Sequence, residues 1–207
     1  MNPTKIKICG FTLPEQVAEV SAMPIEAVGF ICYPPSPRYV EVEKLKDLVS
    51  ATAPLTQTVG VFVDEDPKKL IQIVKDTGLG LAQLHGDEDF EYVKQLNKAG
   101  VKWIKAIRVK DSTDLKIIGE MGLDTVLLDS YTPQMGGAGV TFDWSLADEA
   151  NRLCKVILAG GLTLQNIQQA LWQVTPWGID ISSGVELEKG IKDLKKIEQL
   201  LQLLGRV

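Results

Sequence analysis

Lys5-Ile6-Lys7-Ile8-Cys9-Gly10 sets the register of the chain, because polar and apolar residues alternate in it. A period of two is the signature of a β-strand, so Lys5, Lys7 and Cys9 share one face and Ile6 and Ile8 the other. If the odd face points inward, Lys7 is a buried ammonium and requires a partner. A nearby ammonium also favours a thiolate at Cys9 over a thiol.

Outward from this strand the same unit recurs. Strands are predicted at 5–9, 27–32, 58–63, 79–84, 102–108, 124–129, 155–159 and 177–181. Helical patterns lie between them at 13–22, 42–52, 66–77, 87–99, 112–121, 144–152, 164–174 and 190–204. Strands alternating with helices imply right-handed βαβ units and a parallel sheet. Eight such units predict a closed (β/α)₈ TIM barrel in one domain over residues 1–207. A doubly wound open sheet would carry a Gly-rich first turn, and Gly10-Phe11-Thr12 is not one.

Composition narrows the function. The chain is 45% hydrophobic and 24% charged, with a net charge of −5. This balance suits a soluble globular protein and argues against nucleic acid or an anionic membrane as main partner. No apolar run approaches the ~20 residues that cross a bilayer, and the first residues do not resemble a signal peptide. Three cysteines without metal-type spacing point to a reducing, cytoplasmic setting, and a single histidine excludes a His-rich metal site.

In a barrel of this kind the active site is built from loops after the strands. Cys9 ends strand 1, and Asp129 of "DTVLLDS" ends strand 6 on the opposite side. Two proton-transfer groups facing each other across a mouth form an acid–base arrangement. Two glycine-bearing turns, "LAGGLT" (158–163) after strand 7 and "DISSGVE" (180–186) after strand 8, lie where barrels often bind phosphate. Arg38 follows three prolines in "YPPSPRYV" (33–40), a stiff loop able to aim a guanidinium bidentately at a carboxylate. His85 of "AQLHGDE" lines the mouth or bonds at its rim. Strand 8 closes beside strand 1, which makes Asp180 the expected partner of Lys7.

The motifs "KICGFT" (7–12), "GFICYPPSPRYV" (29–40), "LAQLHGDE" (81–88), "VLLDS" (126–130), "LAGGLT" (158–163) and "DISSGVE" (180–186) with "GIKD" (190–193) resemble the phosphoribosylanthranilate isomerase family of tryptophan biosynthesis. The resemblance implies an Amadori rearrangement without cofactor or metal, acting on a small phosphorylated substrate. It implies Cys9 as general base and Asp129 as general acid. It sets Arg38 against the anthranilate carboxylate, and the phosphate on turns containing Gly160, Gly161, Ser182, Ser183 and Gly184. Monomer and homodimer are both compatible with it. A Cys9–Cys32 disulfide is not expected, since it would consume the base.

The chain departs from the family pattern in the loop 130–140, where Gly136-Gly137-Ala138-Gly139-Val140 lacks the usual Ser or Thr. Lys189-Gly190 stands where Pro-Gly is common, and Thr163 is the expected cap of the helix at 164–174. A metal-dependent epimerase would need more histidines. A non-catalytic phosphate sensor would not need both Cys9 and Asp129.

Overall fold

The structure, a computed structural model, describes residues 3–130 and 143–207. Eight parallel strands pair in chain order: β1 (Lys5–Cys9), β2 (Ala27–Ile31), β3 (Gln57–Phe62), β4 (Leu81–Leu84), β5 (Trp103–Val109), β6 (Thr125–Ser130), β7 (Lys155–Leu158) and β8 (Gly178–Ile181). β8 pairs with β1, with Lys7 opposite Asp180, and so closes the barrel. Helices α1 (Pro14–Ser21), α2 (Val42–Ala51), α3 (Pro67–Thr77), α4 (Phe90–Lys98), α5 (Lys116–Glu120), α6 (Trp144–Asn151), α7 (Ile167–Val174) and α8 (Leu194–Leu203) alternate with the strands.

Period-two alternation divides the core in two. Ile6, Ile8, Val28, Phe30, Val126, Leu128, Ile179 and Ile181 face outward and pack with helix residues such as Val17, Leu45, Leu70, Leu96 and Leu200. Each such side chain contributes about 1.5–3 kcal/mol by leaving water. Phe30→Ala, which opens a cavity in this layer, is expected to cost about 3–5 kcal/mol. The apolar cluster inside the barrel is smaller: Ala106, Leu127, Ile157 and Ala159, with Ile104 against them. Above it, toward the C-terminal ends of the strands, polar inward positions (Cys9, Gln83, Asp129) alternate around the mouth with apolar ones (Ile31, Val61, Ala159).

Caps set the helix boundaries. Asp66 accepts from the amides of Lys68 and Lys69, Pro67 occupies the first turn, and Gly78 ends α3 at φ 73°. The left-handed region costs glycine nothing there. The helix predicted at 87–99 begins three residues later. Glu88 is instead turned inward to accept from the amides of Asp64 and Gly86 and from Lys105, and Asp89 caps α4. The predicted 112–121 helix divides into a 3₁₀ turn (Ser112–Leu115) and α5. Thr163 does not cap α7: Asn166 accepts from the Thr163 amide and donates to the Gly161 carbonyl, so the helix starts at Ile167.

The largest correction concerns the predicted helix 190–204. Residues before Leu194 form an antiparallel hairpin of β9 (Glu186–Glu188) and β10 (Ile191–Lys192), turned at Gly190 with φ 86°. Among the described residues no helix is long and apolar enough to cross a membrane. The predicted features of the 130–140 loop beyond Ser130 lie outside the described residues.

Candidate active site

A cavity opens at the C-terminal ends of the strands. It is lined by Cys9, Arg38, His85, Asp129, Gly160, Gly161, Ser182 and Ser183, together with Gln83 and Asp180. Every site residue expected from the sequence except Gly184 therefore meets in one place. Gly184 instead bridges to Thr163, and a Cβ on it would lie 2.2 Å from the Leu162 carbonyl oxygen. Its bare α-carbon lets the turns after β7 and β8 approach each other just behind the cavity lining.

The Lys7 ammonium donates to Asp180 Oδ2 at 2.7 Å, with both side chains more than nine-tenths buried. Parity and strand adjacency place them so. Burial works against the ammonium, but Asp180 and Cys9 outweigh it and push the Lys7 pKa up. Cys9 goes the opposite way from the sequence expectation. Burial pushes its thiol up, and the attraction of Lys7 and Lys192 does not offset this, with Asp180 adding to the rise. The ammonium still pulls the thiol pKa down, but here by less than the loss of water pushes it up. All three cysteines are free.

Arg38 is buried, and its guanidinium forks onto Glu186. Nε donates to Oε1 at 2.8 Å and Nη2 to Oε2 at 2.6 Å. The bidentate edge predicted to meet a ligand carboxylate is therefore engaged within the protein, which leaves Nη1 and the outer hydrogen of Nη2. Glu186 also accepts from Lys192 Nζ at 2.8 Å and from the Gly190 amide. Lys192 is fully buried and donates in turn to the Cys9 carbonyl at 2.5 Å. Burial lowers the Lys192 pKa against the pull of Glu186. The Arg38 stem passes so close to Gly10 that a Cβ there would lie 2.7 Å from Cδ.

Across the mouth, His85 Nε2 lies 3.2 Å from Asp129 Oδ2, and Gln83 Nε2 lies 3.1 Å from His85 Nδ1. Asp129 Oδ1 accepts from the Ser130 amide at 2.8 Å. Gly160, at φ 79°, makes room for this group, since a Cβ on it would meet Ser130 N at 2.6 Å and Asp129 Oδ1 at 2.9 Å.

Two features give the cavity its chemistry. Around Cys9, three buried cations (Lys7, Arg38, Lys192) are interleaved with the carboxylates of Asp180 and Glu186, and of the three cations only Arg38 lines the cavity. Among the described residues four buried side-chain polar atoms lack a partner, and three of them, Gln83 Oε1, Asp180 Oδ1 and Ser182 Oγ, belong to cavity-lining residues. Such groups are rare in folded proteins and call for partners from elsewhere.

Sequence reasoning missed Gln83, Glu186 and Lys192. Gln83 had a signal, being polar within an apolar strand and two residues from His85 on the same face. Glu186 and Lys192 had none, because their hairpin follows neither period.

The profile of the N-(5'phosphoribosyl)anthranilate (PRA) isomerase family matches residues 6–203. The N-(5'-phosphoribosyl)anthranilate isomerase of Nostoc punctiforme is 43% identical over 97% of this chain and 98% of its own. That of Gloeothece citriformis is 41% identical over 98% of this chain and 94% of its own. Among solved structures, the Thermotoga maritima phosphoribosyl anthranilate isomerase superposes with a TM-score of 0.88 at 34% identity, covering 99% of this chain and 100% of that one. Another phosphoribosyl anthranilate isomerase, solved in complex with reduced 1-(o-carboxyphenylamino)-1-deoxyribulose 5-phosphate, superposes with a TM-score of 0.85 at 31% identity, covering 99% and 100%. From its first strand to its last helix, the chain belongs to the N-(5'-phosphoribosyl)anthranilate isomerase family, the aldose–ketose isomerases of tryptophan biosynthesis.

Proposed function

We propose that the chain converts N-(5-phosphoribosyl)anthranilate into 1-(2-carboxyphenylamino)-1-deoxyribulose 5-phosphate, with Asp129 as general acid and Cys9 as general base. The observation that carries the reading is the placement of these two side chains on β6 and β1, lining one cavity from opposite sides.

Asp129 protonates the ribose ring oxygen. The C1–O bond breaks as the anilino nitrogen lone pair moves in, which opens the sugar to a protonated Schiff base. The Cys9 thiolate then takes the C2 proton, and that electron pair returns to nitrogen to give an enolamine. Transfer of the C2 hydroxyl proton, with protonation of C1, yields the ketone. Each positioned acid or base contributes about 10²–10⁴ in rate.

The phosphate takes the turns at Gly160–Gly161 and Ser182–Ser183, where backbone N–H groups can approach an anion. Arg38 meets the anthranilate carboxylate with the donors that Glu186 leaves free. Neither cofactor nor metal enters this scheme. The partner is a small phosphorylated metabolite, and the free cysteines suit a reducing cytoplasm.

The test is a coupled assay. Anthranilate and phosphoribosyl pyrophosphate generate the labile substrate in situ, and loss of its fluorescence is followed. Fast decay with wild type, together with a loss of at least about 10²-fold in Cys9→Ala and in Asp129→Asn, supports both roles. Near-normal turnover by a folded Cys9→Ala protein rejects the base, and an inactive, well-folded wild type rejects the reaction.

A further inference from the structure

Gln83 occupies β4 two residues before His85 and is 1% exposed. The two halves of its amide have different surroundings. Nε2 lies 3.1 Å from His85 Nδ1. An amide nitrogen donates only, so Nδ1 is the lone-pair nitrogen and the ring proton of neutral His85 is on Nε2. That proton faces Asp129 Oδ2 at 3.2 Å. With Asp129 ionised, as after it has given up its proton, the opposite tautomer would set a nitrogen lone pair against a carboxylate oxygen.

Oε1, the other half, is buried without a partner in a residue that lines the cavity. A buried carbonyl left unpaired costs about 1–3 kcal/mol, a penalty relieved when a ligand brings a donor. Under the isomerase reading, on which this step rests, the ligand's donors are its ribose hydroxyls and one anilino N–H. Phosphate and carboxylate supply none when ionised. The free donors of Arg38 and the backbone N–H groups of the glycine turns can take those two anionic groups but cannot accept a hydroxyl proton. An uncharged carbonyl can, with no added repulsion toward the anionic ligand.

We infer that Gln83 reads a ribose hydroxyl of the substrate through Oε1 while its Nε2 holds His85 with the ring proton toward Asp129. One side chain thus joins recognition of the sugar to positioning of the acid. Toward the hydroxyl Gln83 is a binding residue, and toward Asp129 it is a positioning residue acting through His85.

The chain has one histidine, so imidazole ¹⁵N resonances report His85 without assignment. The expected spectrum of the free wild type, at a pH where the ring is neutral, is the Nε2–H tautomer. It is retained when the product analogue, reduced 1-(o-carboxyphenylamino)-1-deoxyribulose 5-phosphate, is added. Gln83→Met removes both halves of the amide. It is expected to mix the tautomers, weaken binding of that analogue about 10–100-fold, and leave binding of inorganic phosphate unchanged. An Nδ1–H tautomer in the wild type overturns the inference without recourse to any variant. So does a Gln83→Met protein that binds the analogue and turns over as the wild type does. Wild type that lacks turnover overturns the isomerase reading and the hydroxyl assignment with it. Active wild type with an indifferent Gln83→Met overturns this inference alone.

Discussion

The sulfur of Cys9 lies over the bare α-carbon of Gly29. A Cβ built on Gly29 would come within 2.5 Å of Cys9 Sγ and 3.1 Å of Cys9 Cα. The two residues are paired across β1 and β2. The position facing the proposed base is thus one where hydrogen fits and a methyl group does not.

Gly29→Ala is therefore expected to act as a catalytic mutation although Gly29 has no chemistry. The methyl group must displace the sulfur, and a misplaced base loses much of its ~10²–10⁴ contribution to rate. The stability cost of overpacking is about 1–3 kcal/mol. Measured kcat should fall by at least about 10²-fold while the folded fraction at 25 °C stays high. A Gly29→Ala enzyme with wild-type kcat would show that Sγ does not need its present position.

On the proposed assignment of Cys9 as base, Lys7 sets the pH at which its thiolate becomes available. Burial pushes the Cys9 thiol up, and Lys7 is the strongest influence pulling it back. In Lys7→Met the thiol loses its ammonium while the Asp180 carboxylate remains, so its pKa rises further. Because the thiolate is the active form, the rising limb of kcat/KM against pH is expected to move to higher pH. A limb that stays in place or moves to lower pH would mean that it reports another group.

Cys32, which does not line the cavity, offers a stability test. Burial pushes its thiol from an ordinary 9.0 to about 12. Its folded-state pKa lies above the unfolded value, so its contribution is fully present below pH 9.0 and is lost as pH rises toward about 12. Near pH 10.5 the unfolded chain releases this proton and the folded chain does not, a loss of about 2 kcal/mol. Urea midpoints should fall between about pH 8 and 10.5 for wild type, and fall less for Cys32→Val. Equal falls in the two proteins would place the alkaline sensitivity elsewhere.

How far the site could be read beforehand depended on whether a residue obeyed a period. Lys7, Cys9 and Asp129 lie on strands, where parity gives the face and strand order gives the neighbour, so the Lys7–Asp180 pair followed from counting. The barrel followed in the same way. The direction of the Cys9 pKa did not follow, because it balances burial against an ammonium, and residue order contains neither distance nor depth. Glu186 and Lys192 were hidden for another reason. Their strands of three and two residues are too short for alternation to register. The run "KGIKDLKKIEQLL" also reads as one amphipathic helix until Asp193 caps it partway, accepting from the Lys195 and Lys196 amides. Arg38 was expected to greet a ligand with its fork because its internal partner, 148 residues away, could not be seen.

That hidden hairpin is expected to matter more to the fold than its length suggests. Glu186 receives Arg38 through two bonds, Lys192 through one, and the Gly190 amide through another. Removing one member of a buried ion pair costs about 3–5 kcal/mol, because the survivor keeps its charge and loses its compensation. Glu186→Ala strands two cations and is the more damaging change. Lys192→Met leaves Glu186 with Arg38 and is milder. The double variant should lose less than the sum of the singles, because without Glu186 an uncharged residue 192 removes a stranded charge. A double-mutant cycle by urea unfolding reads this coupling directly, expected at about 1–3 kcal/mol. The same cycle in the isomerase assay separates fold from site. Freed of its fork, Arg38 should raise KM in Glu186→Ala more than in Lys192→Met. Strict additivity in both measurements would mean that Arg38, Glu186 and Lys192 act as separate contacts and that the hairpin is only a connection between β8 and α8.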